Sequence, residues 1–237
     1  MMRANRMPFD PLLTRNETIF GLIYLPLHFL VLPIILEMGM YLYSHVGLGK
    51  FNLIVDAVGV LFLAVFMRHY LMRHFDAMLD HKGESALAVL FGYAVNMALS
   101  YLLAMVLFGL GMDMGENPND SLLISLRGQD YSIMRGLAIF IAPFIEETLF
   151  RGVLFGSIRR HHRLLAYVVT VTLFALLHVW QYALAAMDWT VLLYIVQYIP
   201  LSVALCWCYE RSGSIWSPIA LHMLVNALAY AVMAYLA

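Results

Sequence analysis

The chain has 237 residues, 63% of them hydrophobic and only 12% charged, with a net charge of −1 and a mean hydropathy of +0.81. A water-soluble domain carries about 25% charged residues, so water cannot be the main solvent for this sequence. The near-neutral balance offers nothing that would attract nucleic acid. The two cysteines, Cys206 and Cys208, sit in one apolar run. Two residues apart on a helix they face different ways, so neither a disulfide nor redox chemistry is expected.

The chain begins with a polar stretch, MMRANRMPFDPLLTRNE, that lacks the pattern of a cleavable signal peptide. A helix needs roughly 20 mostly apolar residues to cross a bilayer. Seven segments fit, at about 19–42, 51–71, 85–111, 132–157, 164–181, 189–209 and 214–236. The expected fold class is therefore all-α, a polytopic transmembrane helical bundle forming a single integral-membrane domain over 1–237. Most breaks between segments are short, which suits antiparallel neighbours. The longest, 112–131, holds Asp113, Glu116, Pro118, Asp120 and Asp130, and an extramembrane loop is expected there. Prolines within the segments, Pro143 among them, are tolerated in membrane helices and mark kinks.

Basic residues set the orientation. Arg3, Arg6 and Arg15, then Arg68, Arg73 and Lys82, then Arg159, Arg160 and Arg163, then Arg211 fall on one side of an alternating seven-helix chain. That side is expected to be cytoplasmic, which places the N-terminus inside and the C-terminus outside. The run Arg159-Arg160-His161-His162-Arg163 is read as an orientation signal, and His69, His74 and His81 as solvated. Glu37 and Asp56 fall toward the outer ends of their segments and are expected at the interface, while His28 belongs to no motif.

Ionisable groups at bilayer depth are costly and point to function. The fourth segment contains Glu146-Glu147-Thr-Leu-Phe-Arg151. Glu147 and Arg151 are i,i+4 and can pair, whereas Glu146 points about 100° away and needs a partner from another helix. His178 ends the fifth segment, and His222 and Asn226 share a face of the seventh. At about 1.5 Å per residue from the basic ends, Glu146 lies roughly 18 Å deep, His178 21 Å, His222 13 Å and Asn226 19 Å. Three helices thus bring four polar side chains to similar depth. A carboxylate and an imidazole together can deprotonate a water. A second histidine and an amide can donate to a developing oxyanion. Activated-water peptide hydrolysis is the expected chemistry. Neither HExxH nor GxSxG occurs.

The elements Glu146-Glu147-Thr-Leu-Phe-Arg151, Phe174-Ala-Leu-Leu-His178 and His222-Met-Leu-Val-Asn226 resemble, in order, the EExxxR, FxxxH and HxxxN patterns of the CPBP family of intramembrane proteases. That family includes the CAAX prenyl endopeptidases and bacterial proteins called Abi or bacteriocin-immunity proteins. The resemblance covers about 132–230, which would be the catalytic core. It implies a glutamate-dependent endopeptidase in which Glu146 and His178 activate water, His222 and Asn226 form the oxyanion hole, and Glu147 and Arg151 order the site. No cofactor is expected; the alternative is a zinc held by Glu146, His178 and His222. The expected partners are the lipid bilayer and a protein or peptide substrate, cut near the C-terminus of a membrane-associated or lipidated protein. A bacterial or archaeal plasma membrane is the expected location. The alternative function is a non-enzymatic membrane protein, an immunity or scaffold factor or a proton-coupled transporter, that uses the same buried residues.

Overall fold

A computed structural model of the chain describes residues 9–42, 47–112 and 129–236. The described residues contain helices and no strand. We number them α1 (15–42), α2 (48–80), α3 (Lys82–Gly109), α4 (129–159), α5 (Arg163–Leu177), α6 (Trp180–Ala186), α7 (Trp189–Ser212) and α8 (Trp216–Leu236). Most of the loop expected at 112–131 lies outside the described residues.

Five of these helices are long and apolar enough to cross a membrane: α1, α2, α3, α7 and α8. A sixth span is α5 with α6, bent by 40° at the break between them. The remaining expected span is α4, which runs without a break from 129 to 159. Its middle carries Glu146, Glu147 and Arg151, which interrupt its apolar run. The described residues are thus all-helical, with five or six candidate spans where seven were expected, and the expected span that does not count among them is the one bearing Glu146, Glu147 and Arg151.

Helix α4 is the hub. Ile145, Leu149, Phe150, Val153 and Phe155 on it are fully buried, and it packs against α1, α2, α5, α7 and α8. A continuous core joins Ile145, Leu149, Val153 and Phe155 to Leu63, Met67, Tyr70, Tyr209 and Ile215. By contrast Ile23, Met38, Leu61, Phe91, Leu102 and Leu164 are exposed, as expected of side chains that face lipid tails. Close approach at the hub depends on small residues. A Cβ on Gly152 would lie 3.1 Å from Tyr70 Cζ, and one on Gly59 would lie 2.8 Å from His28 Cε1.

The basic ends of the helices meet at one end of the bundle. Thr14 and Glu17 form a reciprocal capping box at the start of α1, and Glu17 also pairs with Arg73 of α2. Arg159 and Arg163 both pair with Glu210 of α7. His74 was expected to be solvated, but it is fully buried. Its Nε2 lies 3.1 Å from the Pro11 carbonyl, and its Nδ1 accepts from the Ile215 amide at 3.3 Å. The ring therefore ties the segment before α1 to the α7–α8 turn.

Candidate active site

Two helices near the site have the same irregularity. In α4 the Ala142 N–H reaches back five residues to the Leu137 carbonyl, a wide π turn of the kind often found at functional sites. In that register residue 143 would bond the Ala138 carbonyl, but residue 143 is proline and has no N–H. Asn226 Nδ2 of α8 donates to the open Ala138 carbonyl at 2.8 Å. In α1 the Leu32 N–H likewise reaches Leu27, and Pro33 withholds the next donor from the His28 carbonyl. A second wide-turn stretch, Thr148–Phe155, carries Arg151 itself.

Behind the site lies a buried ionic cluster. Glu147 Oε1 accepts from Arg151 Nη1 at 2.9 Å and from His222 Nδ1 at 2.8 Å. Arg151 Nη2 donates to Ser202 Oγ at 2.8 Å, and the guanidinium lies 4.0 Å from the Phe174 ring centroid. The side chains of Glu147 and Arg151 are 0% exposed. Such a pair must be almost fully satisfied to offset its desolvation. Ser202, Phe174 and His222 supply additional contacts, while Glu147 Oε2 and Arg151 Nε have no hydrogen-bond partner among the described residues.

Phe174 is the common neighbour. Its ring touches Arg151, stands 4.5 Å from the His178 ring and 6.0 Å from the His222 ring, and meets Phe150 edge-on. This explains physically why an aromatic residue precedes the histidine by four positions.

His178 ends α5. Its Nδ1 lies 2.8 Å from the Phe174 carbonyl, one of the last-turn carbonyls that the helix leaves open. A carbonyl only accepts, so Nδ1 carries the proton and the neutral ring keeps its lone pair on Nε2. Glu146, His222 and Arg151 all lie within electrostatic reach of His178.

A cavity of about 320 Å³ is lined by Glu146 and His178, together with His28 of α1, Asn52 and Asp56 of α2, and Gln181 of α6. The catalytic pair expected from the sequence thus shares one cavity. The expected oxyanion pair does not line it: His222 is joined to Glu147 and Asn226 to the Ala138 carbonyl. Among the described residues no three His, Cys, Asp or Glu side chains come together as a metal-binding group. Glu146, His178 and His222 are therefore not assembled as the zinc set that the alternative required.

Two cavity residues escaped the sequence reading. Asp56, expected at the interface, lines the cavity within electrostatic reach of Glu146. His28, which matched no motif, does the same. Their signal was an ionisable group in an apolar run, and for His28 also its place between Pro26 and Pro33.

Fold and site together define a polytopic helical membrane protein with a glutamate–histidine cavity among its helices. Residues 129–228 match the model of the Rce1-like family, described as type II CAAX prenyl endopeptidase Rce1-like. The matched region begins at α4 and ends within α8, so α1, α2 and α3 lie outside it. Compared with the curated proteins and with the solved structures, the chain finds no match.

Proposed function

We propose that the protein is an intramembrane endopeptidase that hydrolyses peptide bonds with a water activated by Glu146 and His178. The observation that carries this reading is the cavity they share, into which the neutral His178 can offer a lone pair because its other nitrogen is fixed on Phe174. Both groups are hydrogen-bond acceptors, so a water between them donates both its hydrogens and keeps a lone pair for attack. As its oxygen bonds to the scissile carbonyl carbon, one water proton passes to Glu146 and the carbonyl π pair moves to oxygen. When the oxyanion collapses, the C–N bond breaks and Glu146 returns the proton to the leaving amine.

Glu147 and Arg151 do not touch substrate in this scheme; they position His222 and the Phe174 ring. His222 and Asn226, the oxyanion pair expected from the sequence, stand outside the cavity lining and are held on Glu147 and the Ala138 carbonyl, so they could reach an oxyanion only with what those contacts leave over. His222 donates Nδ1–H to Glu147, so it can donate from Nε2 only as the imidazolium. Asn226 retains its second amide hydrogen. The substrate is a membrane-associated or lipidated protein cut near its C-terminus, the class named by the matched family. The basic loops support an N-terminus in the cytoplasm; the membrane is that of a bacterial or archaeal cell in this reading.

The test uses purified full-length protein in proteoliposomes with a prenylated peptide that ends in a CAAX sequence. Mass spectrometry should detect release of a short C-terminal fragment. An intact peptide at high enzyme loading contradicts the substrate class. Cleavage that persists in Glu146→Ala contradicts the mechanism.

A further inference from the structure

The cavity places negative charge where an oxyanion would form, and of the matched region's lining residues Gln181 carries an amide that can donate there. Two carboxylates, Glu146 and Asp56, line it, and among the described residues its lining includes no lysine or arginine. An oxyanion formed there needs neutral or cationic donors close by. Asn52 of the lining has both amide hydrogens engaged, on the Leu48 carbonyl at 3.0 Å and on Met134 Sδ at 3.4 Å. The donor expected from Asn226 is partly spent on Ala138.

His28 has the geometry to donate. It is 3% exposed, and the missing side chain at Gly59 makes room for its ring. Tyr24, one turn earlier on α1, places its hydroxyl 3.1 Å from His28 Nδ1. If that nitrogen held the proton, the phenol would accept and its own buried O–H would have no hydrogen-bond acceptor among the described residues. Tyr24 stacks on Phe62 with ring centroids 3.7 Å apart, which fixes the phenol. The satisfied arrangement has Tyr24 donating to Nδ1 and the His28 proton on Nε2. His178 is held in the opposite tautomer by Phe174. Two histidines beside Glu146 thus offer a lone pair from one and an N–H from the other.

We propose that His28 is a further catalytic residue, donating a hydrogen bond from Nε2–H to the oxyanion formed when water adds to the substrate carbonyl. This role rests on the hydrolytic reading above. His28 gains and loses no proton in the step: it stabilises the charge while the water proton moves to Glu146. It also gives α1, which lies outside the matched family region, a part in the chemistry.

Two measurements test it. The first is independent of activity. Nitrogen NMR of histidine-labelled full-length protein in lipid nanodiscs, assigned with His28→Gln and His178→Gln, should find His28 protonated on Nε2 and His178 on Nδ1. Tyr24→Phe should shift the His28 signals toward a tautomer mixture. His28 protonated on Nδ1 overturns the proposal. The second uses the prenylated CAAX peptide. His28→Leu should lower kcat ~10²–10³-fold, the usual effect of losing one oxyanion donor, with KM little changed. His28→Gln keeps an N–H near the position of Nε2 and should recover part of the rate. Wild-type kcat in His28→Leu, beside an inactive Glu146→Gln, overturns the role of His28 and leaves the hydrolase reading standing. A wild-type protein that fails to cleave this peptide contradicts the substrate class, and the nitrogen spectra then decide the proposal, which falls if His28 carries its proton on Nδ1.

Discussion

Removing one member of the Glu147–Arg151 pair leaves the other charge stranded where both side chains are 0% exposed. Arg151→Met is expected to destabilise the protein by about 3–5 kcal/mol, read as a lowered thermal midpoint in detergent. Glu147→Leu with Arg151→Met should recover much of that loss, because no buried charge is then unpaired. If Arg151→Met melts like wild type, the cluster is not holding the bundle. These residues were legible in the sequence because i,i+4 spacing on a helix fixes a pairing before any tertiary contact is known. Glu146 and His178 were legible by the same kind of reasoning, as groups too polar for their surroundings and at matching depth. His28 and Asp56 were not, because a lone ionisable residue in an apolar run looks the same at an interface and in a cavity. Only packing separates the two cases, and the packing depends on Gly59, whose missing side chain gives no signal in composition or periodicity.

At the scale of the helices, the wide turn before Pro143 makes a specific energetic claim. Asn226→Leu should leave the Ala138 carbonyl without its donor and cost ~1–3 kcal/mol. In a Pro143→Ala background the restored backbone N–H can take that carbonyl, so the same Asn226→Leu change should cost less. The two effects should therefore be non-additive by more than the few tenths of a kcal/mol expected of independent sites. Thermal melts of the two single variants and the double variant measure the coupling, and additive losses would refute it. The sequence marked both prolines as kinks. It could not show that an amide from α8 repairs the break, because that contact joins residues 88 positions apart. The expectation for Asn226 came from a motif role, whereas its visible bond holds α4 in shape. The break between α5 and α6 has a comparable cause: the Phe174 carbonyl, open at the end of α5, takes up His178 Nδ1 and so aims the ring.

Across the whole molecule the spans were the most legible feature, since apolar length is written directly in the sequence. The fourth expected span, read at 132–157 from its apolar length, forms an unbroken helix from 129 to 159 but is not among the helices apolar enough to count as a candidate span. The side of the cavity was not legible. Arg73, joined to Leu12, and His74, joined to Pro11, lie at one end of the bundle with the Arg159–Glu210–Arg163 group. The cavity lining comes from the other half: Asn52 near the start of α2, Ala138 in the first half of α4, and Gln181 beyond the end of α5. With the basic end in the cytoplasm, a cysteine placed at Gln181 should react with a membrane-impermeant maleimide added outside intact cells. A cysteine at Arg160 should react only after permeabilisation. The native Cys206 and Cys208 are buried and should give little background. The opposite labelling pattern would invert the orientation and place the cavity toward the cytoplasm.

The account stands or falls on Glu146 acting as a base in the cavity it shares with His178. The most direct measurement is kcat for cleavage of the prenylated peptide by wild type and Glu146→Gln in the same proteoliposomes, with circular dichroism and melting temperature compared. The side chains match in shape, so the fold should be unchanged while kcat falls ~10²–10⁴-fold, the contribution of a positioned general base. A folded Glu146→Gln protein that turns over at the wild-type rate would contradict the central claim.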